Sequence, residues 1–212
     1  MTTPDPGPIT KPDTLKVGYN QAPDLTALIN SLVTPGLPSD TDTVIAISAL
    51  HGQAVITGSQ ILYFPTSFGL ATPPLSPVPD TITYTVINQN FQIANGTINV
   101  TIDPGPSTKP GAITVGRNQV TDLTTLLNGL VTPGLAGDTE TVVLARASTG
   151  QVALNSGHLL YAPNPGFGSD VINYEVTDQL GENAFGTINV TIDPGPSTNP
   201  ARSRSAAIRS LT

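Results

Sequence analysis

An internal repeat constrains the fold of this chain more than any other feature. The string DPGP occurs three times, beginning at Asp5, Asp103 and Asp193. Between these markers lie two copies of one unit, which near their starts read GYNQAPDLTALINSLVTPGL and GRNQVTDLTTLLNGLVTPGL. Equivalent early positions are 98 residues apart and late ones 90, because the first copy has eight extra residues within 70–79. Each copy is long enough to bury a small core of its own.

Short alternating segments predict a β-rich fold for each copy. In the second copy, residues 170–176 and 186–192 alternate apolar and polar residues, as half-buried strands do. Further short strands are predicted at 142–145, 151–154 and 158–161, separated by Gly, Asn and Ser. Many short strands at regular spacing, with turns between them, indicate one β-sandwich per copy.

One segment in each copy departs from the strand pattern. Residues 122–131 carry leucine and valine at i, i+3, i+4, i+7 and i+8, with Asp122 in the N-cap position and a Thr-Pro-Gly stop afterwards. Residues 24–33 repeat these features. A short amphipathic helix is predicted at each place, and the alternative is a buried strand with a turn.

The proline-rich stretches predict the domain organisation. Proline at alternate positions opposes helix and ladder pairing, and it favours an extended polyproline spacer. The chain should therefore consist of two sandwiches, each with one short helix, joined by Pro-rich linkers. The predicted boundaries are an N-terminal arm at 1–12, a first repeat at 13–102 with an insertion at 70–79, a linker at 103–110, a second repeat at 111–192, and a linker with a basic tail at 193–212.

Composition excludes several classes of function. The 212 residues include no Cys and no Trp, so no disulfide, zinc–thiolate site or cysteine nucleophile can form. The net charge of −7, from 8 basic and 15 acidic residues, disfavours nucleic-acid binding, because phosphate recognition needs Lys and Arg. No apolar run reaches the roughly 18 residues of a membrane-spanning helix, and no secretory signal follows Met1.

The second copy carries a longer motif, GQVALNSGHLLYAPNPGFGSDVINYEVTDQLGENAFGTINVTI. It resembles the cadherin-like, immunoglobulin-like tandem repeats of bacterial surface proteins and of some phage proteins. The resemblance rests on residues of strand ends and turns, namely Gly150, Tyr161, Pro163, Asn164, Gly166, Phe167, Asp170, Tyr174, Val176, Asp178 and Gly181. It implies an all-β, immunoglobulin-like sandwich for each repeat, and it is specific for the fold rather than for a function.

Several residues of this motif have expected structural roles. Tyr161 and Tyr174 should pack inward with their hydroxyls near the rim, and Phe167 should plug the end of the sandwich. Asp178 should cap the backbone of its own tight turn. The first copy departs here, because NQNF at 88–91 replaces that turn.

Calcium is the first ligand that the resemblance brings into question, since animal cadherins hold it between repeats. Each linker here has a single aspartate, Asp103 or Asp193, whereas calcium takes about six to eight oxygen ligands. The acidic pairs at 138–140 and 40–42 are the best remaining candidates, and we interpret them as solvated loop acids. No metal and no cofactor is therefore predicted, and EDTA is expected to leave thermal unfolding unchanged.

No motif for catalysis is recognisable. The two histidines, His51 and His158, align with Thr149 and Gln60 rather than with each other. Aromatic platforms for a sugar are scarce, since aromatic residues make up 5% of the chain. The chain is predicted to be non-enzymatic, with no catalytic residue.

Two segments are candidate contact sites. The insertion LATPPLSPVP at 70–79 is either a stiff contact loop for a neighbouring subunit or a cover for the open end of the sandwich. The tail at 201–212 has a formal charge of +3 and the first 200 residues −10, which predicts either an anchor to an acidic partner or a disordered end.

These features together predict a non-enzymatic structural or adhesive protein. The first interpretation is a phage virion component, such as a decoration, collar or fibre protein, because the chain starts at Met1 without an export signal and has two repeats. The alternative is a bacterial cell-surface or extracellular adhesin or stalk module. The expected partners are other protein subunits of a capsid, tail or surface filament, with a cell-surface glycan as a further candidate. Nucleic acid and membrane insertion are not expected.

Overall fold

The computed structural model of the chain describes residues 5–70 and 72–196. The first repeat contains β1 (Ile9–Thr10), β2 (Asp13–Gly18), α1 (Thr26–Leu32), β3 (Val33–Thr34), β4 (Thr43–Ala49), β5 (Gln53–Thr57), β6 (Gln60–Phe64), β7 (Val78–Ile87) and β8 (Ile93–Asp103). The second contains β9 (Ser107–Thr108), β10 (Gly111–Gly116), β11 (Thr121–Asp122), α2 (Thr124–Asn128), β12 (Val131–Thr132), β13 (Thr141–Ala147), β14 (Gln151–Asn155), β15 (His158–Ala162), β16 (Ser169–Thr177) and β17 (Asn183–Asp193). Neither helix in this part of the chain could span a membrane. The basic tail lies outside the described residues.

Both repeats share one topology. In the first, a four-stranded sheet has the order β2-β8-β7-β4, in which β2 and β8 run parallel and the other pairs antiparallel. Strands β5 and β6 form a hairpin, and β1 pairs with β3. The second repeat reproduces this order with β10-β17-β16-β13, and it adds β11 to the hairpin of β14 and β15. The predicted all-β fold is confirmed.

Each repeat has its own core, because alternate residues of its long strands face inward. In the second repeat the buried positions of β16 and β17 are those that the alternation predicts, namely Ile172, Tyr174, Val176, Ile188, Val190 and Ile192. Their counterparts in β7 and β8 form the core of the first repeat. Burying each large aliphatic side chain stabilises a repeat by about 1.5–3 kcal/mol.

The helices are shorter than predicted and begin two residues later. The residue in the N-cap position is Leu25 or Leu123, not the preceding aspartate. Asp24 and Asp122 are held out of the helix because each pairs with the hairpin strand beside it. Their carboxylates still accept the first helical N–H at 2.9 Å, so they satisfy one of the free donors of the first turn.

The DPGP stretch between the repeats is packed against the second repeat. Residues 103–106 are buried, and Gly105, at φ +75°, turns the chain so that β9 can pair with β12. The expectation of an extended spacer is therefore wrong for this stretch, because its prolines fill a niche in the second repeat instead of facing water. The domain boundaries drawn from the sequence stay a prediction.

Two expectations about aromatic side chains are wrong in whole or in part. Phe167 does not plug the end of the sandwich, whereas Tyr161 and Tyr174 pack inward as predicted but keep their hydroxyls away from the rim. Phe167 is 50% exposed, because its N–H bonds to the carbonyl of Asn164 in a surface turn. The hydroxyls of Tyr161 and Tyr174 lie in the interior, since these residues are 0% and 2% exposed. The ring of Tyr174 lies over Gly186, where a Cβ atom would come within 2.3 Å of the hydroxyl oxygen.

Candidate functional site

The two repeats meet around Asp103, the last residue of β8. Asp103 is completely buried. Its carbonyl accepts the N–H of Tyr19 at 2.9 Å, and its carboxylate accepts the N–H of Gly105 at 2.8 Å. Asp103 therefore lies at the point where the end of the first repeat packs on the second.

Four further carboxylates of the second repeat lie near Asp103. Asp138 and Glu140 precede β13, and Asp178 and Glu182 belong to the turn between β16 and β17. The Asp138 side chain has no exposed surface, and Asp178 and Glu182 are 6% and 7% exposed. The expectation that the acids at 138–140 are solvated is therefore wrong. We call these five residues the junction cluster.

The negative charge of the junction cluster is poorly compensated. One oxygen each of Asp103 and Asp178, and both carboxyl oxygens of Glu140, are buried without a hydrogen-bond partner. Lys16 of the first repeat forms an ion pair with the cluster, since its Nζ atom lies 3.7 Å from Asp138, but its side chain is 55% exposed. A buried carboxylate without a partner is costly, so such a group tends to take up a proton or a cation.

The pKa values of the junction cluster follow from this burial. Burial, together with the charge of the neighbouring carboxylates, raises the pKa of Asp103 to about 6 and that of Glu140 to about 7. Burial also raises the pKa of Glu182, although the N–H of Asn20 lowers it. Like charges in a site with little water favour the protonated form in this way.

The turn that carries Asp178 also makes the polar contacts across the junction. Asp178 Oδ1 accepts the N–H groups of Leu180 and Glu182, both at 2.9 Å, which confirms that this aspartate caps its own turn. From the first repeat, the N–H of Asn20 donates to Glu182 at 3.4 Å, and the side-chain amide of Gln21 donates to the carbonyl of Leu180. One repeat thus recognises the turn of the other.

The junction cluster has the donor chemistry of a calcium site, because it offers only oxygen ligands and carries several negative charges. Asp103, Glu140 and Asp178 would hold the ion, since their oxygens are buried and free of other partners. Within residues 5–70 and 72–196, no three acidic or histidine side chains converge closely enough to hold a metal ion as placed. The cluster is therefore not a preformed metal centre.

At the equivalent end of the first repeat, amides surround the aspartate of the DPGP turn. Asn88 and Asn90 donate to Asp5 Oδ2 at 3.0 and 2.8 Å. The hydrogen bond from Asn90 is the main reason that the pKa of Asp5 is lowered. Asp42 keeps both carboxyl oxygens unpartnered, and burial raises its pKa.

Two members of the junction cluster were not predicted from the sequence. The expected role of Asp178 was purely local to its turn, and Glu182 had no predicted role. The signal was present in the alignment of the two copies, where Asn88 and Gln92 become Asp178 and Glu182. Two amides that become acids at the end facing the linker indicate that this end of the second repeat has a different charge from that of the first, and so a different environment.

The two histidines are not brought together. His158 Nδ1 lies 2.7 Å from Asp122, and His51 Nδ1 lies 3.6 Å from Asp80. Asp80 also accepts the hydroxyl of Tyr63 at 2.7 Å and two nearby backbone N–H groups, so it holds a corner of the sandwich. His158 thus lies at the start of β15 and His51 in the loop between β4 and β5, each beside a different carboxylate.

The proline-rich insertion lies beside the junction. Residues 73–77 line one side of a cleft, and residues 104–107 and 132–134 line the rest. The insertion belongs to the first repeat and thus faces the DPGP stretch at 103–106 across this cleft. Leu75 within it is fully exposed, so a contact with a neighbouring subunit stays a prediction.

Comparison with known proteins agrees with the fold. Residues 105–191 match the family described as bacterial Ig domain. No curated protein matches the chain. The resemblance to bacterial immunoglobulin-like and cadherin-like repeats is confirmed, since the matched residues cover the second repeat and the first has the same strand order.

Solved structures similar to this chain include cadherins and an enzyme. The human mucin-like protocadherin EC1-2 is 16% identical, with 88% of this chain and 98% of that chain covered and a TM-score of 0.35. Drosophila N-cadherin EC1-3 is 12% identical over 86% of this chain and 63% of that one, with a TM-score of 0.34. An endo-fucoidan hydrolase of glycoside hydrolase family 107 is 12% identical at a TM-score of 0.30, and the alignment covers 91% of this chain but only 30% of the hydrolase.

Immunoglobulin-like and cadherin-like domains are typically adhesive or structural modules without enzymatic activity. The family match places residues 105–191 among such domains, and the first repeat has the same strand order.

Proposed function

We propose that the chain is a structural or adhesive subunit of a large extracellular assembly, and specifically of a phage particle as a decoration, collar or fibre protein. The observation that supports this most is the packed connection between the repeats. Because residues 103–106 are buried and the two repeats share hydrogen bonds, a load applied along the chain passes through packed contacts rather than a loose linker.

A bacterial surface adhesin or stalk is the second candidate. The match of residues 105–191 to the bacterial Ig domain family favours it, since such domains are typical of surface proteins. In either assembly we propose other protein subunits as the main partners and a cell-surface glycan as a second one.

Localisation distinguishes the two candidates. Antibodies against the full chain would be used for immunogold electron microscopy of purified phage particles and of intact bacterial cells. Many symmetry-related copies on particles would support the phage proposal, and label on uninfected cells would support the adhesin. Chain found only inside cells would contradict both. A glycan array with the same protein would test the second partner.

We also propose that the junction cluster binds Ca²⁺ and that binding stiffens the connection between the repeats. The expectation from the sequence that EDTA has no effect stays a prediction, and calorimetry with and without EDTA decides between the two. The support is the set of buried, unpartnered oxygens on Asp103, Glu140 and Asp178. A cation that binds only the folded form at 100 times its Kd adds about 2.7 kcal/mol to the free energy of unfolding.

Calorimetry of the full chain with and without EDTA tests calcium binding. The matched control is the double variant Asp178→Asn with Glu182→Gln, which places in the second repeat the amides that the first repeat carries. We expect EDTA to lower the Tm of the parent by several degrees and that of the variant much less. An unmoved parent Tm, together with no heat on titration of Ca²⁺, would rule out the site and leave the localisation question untouched.

A further inference from the structure

The two surfaces that meet at the junction also occur, unpaired with each other, at the two ends of the described chain. The distal end comprises residues 116–119 and 193–196 of the second repeat. The loop end comprises residues 5–9, 40–42 and 88–93 of the first repeat. At the junction, the counterparts of these surfaces are residues 18–21 and 103–106 on one side and residues 138–140 and 178–183 on the other.

The distal end has the same local structure as its counterpart at the junction. Gly195, like Gly105, has φ +75°, and its N–H donates to the carboxylate of Asp193 at 2.8 Å. The N–H of Arg117 bonds to the carbonyl of Asp193 at 3.2 Å, as that of Tyr19 bonds to Asp103. The distal end therefore presents a preformed docking shape.

The distal end and its counterpart at the junction differ in solvent exposure. Residues 103–106 are buried by the second repeat, whereas residues 193–196 are exposed. Asn118 and Gln119 are exposed as well, although their counterparts Asn20 and Gln21 donate hydrogen bonds across the junction. The distal end thus carries recognition groups that contact no repeat among the described residues.

The loop end of the first repeat is apolar where its counterpart is polar. Ile9, Phe91 and Ile93 are 59%, 83% and 59% exposed. The equivalent residues of the second repeat are Ser107, Gly181 and Asn183. Exposed apolar groups that cluster at one end of a domain are typical of a protein contact.

Phe91 also has an unfavourable backbone conformation. Its φ is +61°, in the left-handed region, where Gly181 stands in the second repeat with φ +84°. A bulky residue costs free energy in this region, and strained residues cluster at binding sites. The strain is explained if the exposed ring has a partner.

Outside the two DPGP turns, the ends offer opposite charges, although Asp193 of the distal end is acidic like Asp5. The Arg117 guanidinium is exposed and donates to the carbonyl of Pro165 at 3.0 Å. The distal end has Arg117 where the first repeat has Tyr19. The loop end has Asp40 and Asp42, and both carboxyl oxygens of Asp42 lack a partner. At the junction, Lys16 and Asp138 already form an ion pair of this kind.

The niche at the loop end has room for one DPGP turn. A Cβ atom at Gly36 would lie 2.6 Å from the backbone of Gly7, so the turn at 5–8 packs directly against it. Asp5 and Pro6 are nevertheless partly or fully exposed, unlike residues 103–106. An incoming turn of the same shape would have to replace the turn at 5–8.

We propose that a second copy of this chain docks its distal end onto the loop end of the first repeat, with its turn at 193–196 replacing the turn at 5–8. The contact is head-to-tail, so its repetition produces an open filament, or a ring where the rotation between copies closes. The turn at 5–8 has the advantage of a high local concentration, so dilute protein stays monomeric and concentrated protein assembles. This inference goes beyond the proposed function and holds for either assembly.

Disulfide trapping tests the contact directly, because the chain has no cysteine of its own. At the junction, Gln21 bonds to Leu180, and the residues equivalent to these at the two ends are Gln119 and Asn90. We expect the variant Gln119→Cys with Asn90→Cys to form a ladder of linked multimers on mild oxidation, and the ladder to grow with protein concentration.

Two matched pairs control for random linking and for folding. Gln21→Cys with Leu180→Cys should close within one chain and give no ladder. Gln119→Cys with Ser59→Cys pairs the distal end with the exposed β5–β6 turn, and it should give no ladder above background. Thermal unfolding of each reduced variant checks that the fold is intact.

Further substitutions in the Gln119→Cys, Asn90→Cys background test the proposed details. Arg117→Glu and Gly195→Val should each reduce the ladder at least fivefold, and Asp5→Ala should increase it by loosening the turn at 5–8. No ladder at any concentration, with a folded protein that stays monomeric in analytical ultracentrifugation, would overturn the proposal. A ladder as strong in the Ser59→Cys control would overturn it as well.

Discussion

The loop ends of the two repeats place acidic residues on nearly the same backbone and treat their charge in opposite ways. In the first repeat, Asn88 and Asn90 donate to the carboxylate of Asp5, so amides satisfy the acid locally. In the second repeat, Asp178 stands where Asn88 does, and the end of the first repeat buries the acids instead. The difference teaches that a tandem repeat can adapt its ends to the presence of a neighbour by changing two side chains while it keeps the turn.

The largest difference between the two ends should appear at the glycine beside each DPGP turn. We expect Gly134→Ala to destabilise the second repeat by about 3 kcal/mol, because a Cβ atom there would lie 2.1 Å from Asp103 Oδ1. Gly36→Ala should cost about 1–2 kcal/mol, because its Cβ would lie 2.6 Å from the backbone of Gly7, but the turn at 5–8 starts with partly or fully exposed residues and can shift as a unit. Urea unfolding monitored by tyrosine fluorescence would measure both.

Gly168→Ala is the control for this comparison, because a Cβ atom at Gly168 has no neighbour within 4 Å. If Gly134→Ala unfolds at the same urea concentration as Gly168→Ala, the packing of the DPGP turn contributes little.

Exchanging amides and acids between the loop ends of the two repeats should change the stability of the two repeats in opposite directions. In EDTA, Asp178→Asn with Glu182→Gln should stabilise the second repeat by about 1–2 kcal/mol, because it removes buried negative charge. The amide keeps the oxygen that accepts two N–H groups of the turn, as Asn88 does. The reverse exchange in the first repeat, Asn88→Asp with Gln92→Glu, should destabilise it. Equal free energies of unfolding for parent and both variants would contradict this account of the charge.

Acidity should affect the second repeat more than the first. The pKa of Glu140 is raised to about 7 and that of Asp103 to about 6, so the folded form binds protons more tightly than the unfolded chain. Between pH 4.5 and 7 the free energy of unfolding should therefore fall as pH rises, with the full benefit present below the unfolded pKa values. Calorimetry in EDTA at several pH values would measure this slope.

Calcium should flatten that pH dependence, because bound cation replaces the proton in compensating the cluster. A rise in the Tm of the second repeat between pH 5 and 7 in EDTA would show that its carboxylates are stabilised as anions, contrary to this interpretation.

The smallest change in the free energy of unfolding should come from Phe91, the residue with a positive φ in the turn between β7 and β8. Phe91→Gly should stabilise the first repeat by about 1 kcal/mol, since glycine adopts a positive φ without a steric penalty. Gly181→Ala at the equivalent place should destabilise the second repeat by a similar amount. If Phe91→Gly raises the Tm and also weakens the disulfide ladder, the strain at Phe91 serves the contact between copies. A lower Tm for Phe91→Gly would mean that the ring stabilises its own repeat.

The fold was predictable because its signals are local. The alternation of apolar and polar residues at 170–176 and 186–192 shows which side chains of these strands face the core. Because the sequence repeats, the same assignment holds for the equivalent strands of the first repeat. The helix start was harder, because Asp122 has the chemistry of an N-cap but its backbone pairs with β15. That pairing is a contact between distant residues, and local propensity does not include it.

The chain's sequence by itself determined two repeats, an all-β sandwich for each, the absence of thiol chemistry and the turn that Asp178 caps. Only the tertiary structure decided that Asp103, residues 138–140 and residues 178–182 form one cluster, since these segments lie far apart in the chain. Whether an acid is solvated or buried depends on what packs over it. The acids of the second repeat are buried because the end of the first repeat packs over them. The same physical reason separates the DPGP turn at 103–106 from the one at 193–196, since the two turns have one local structure and opposite exposure.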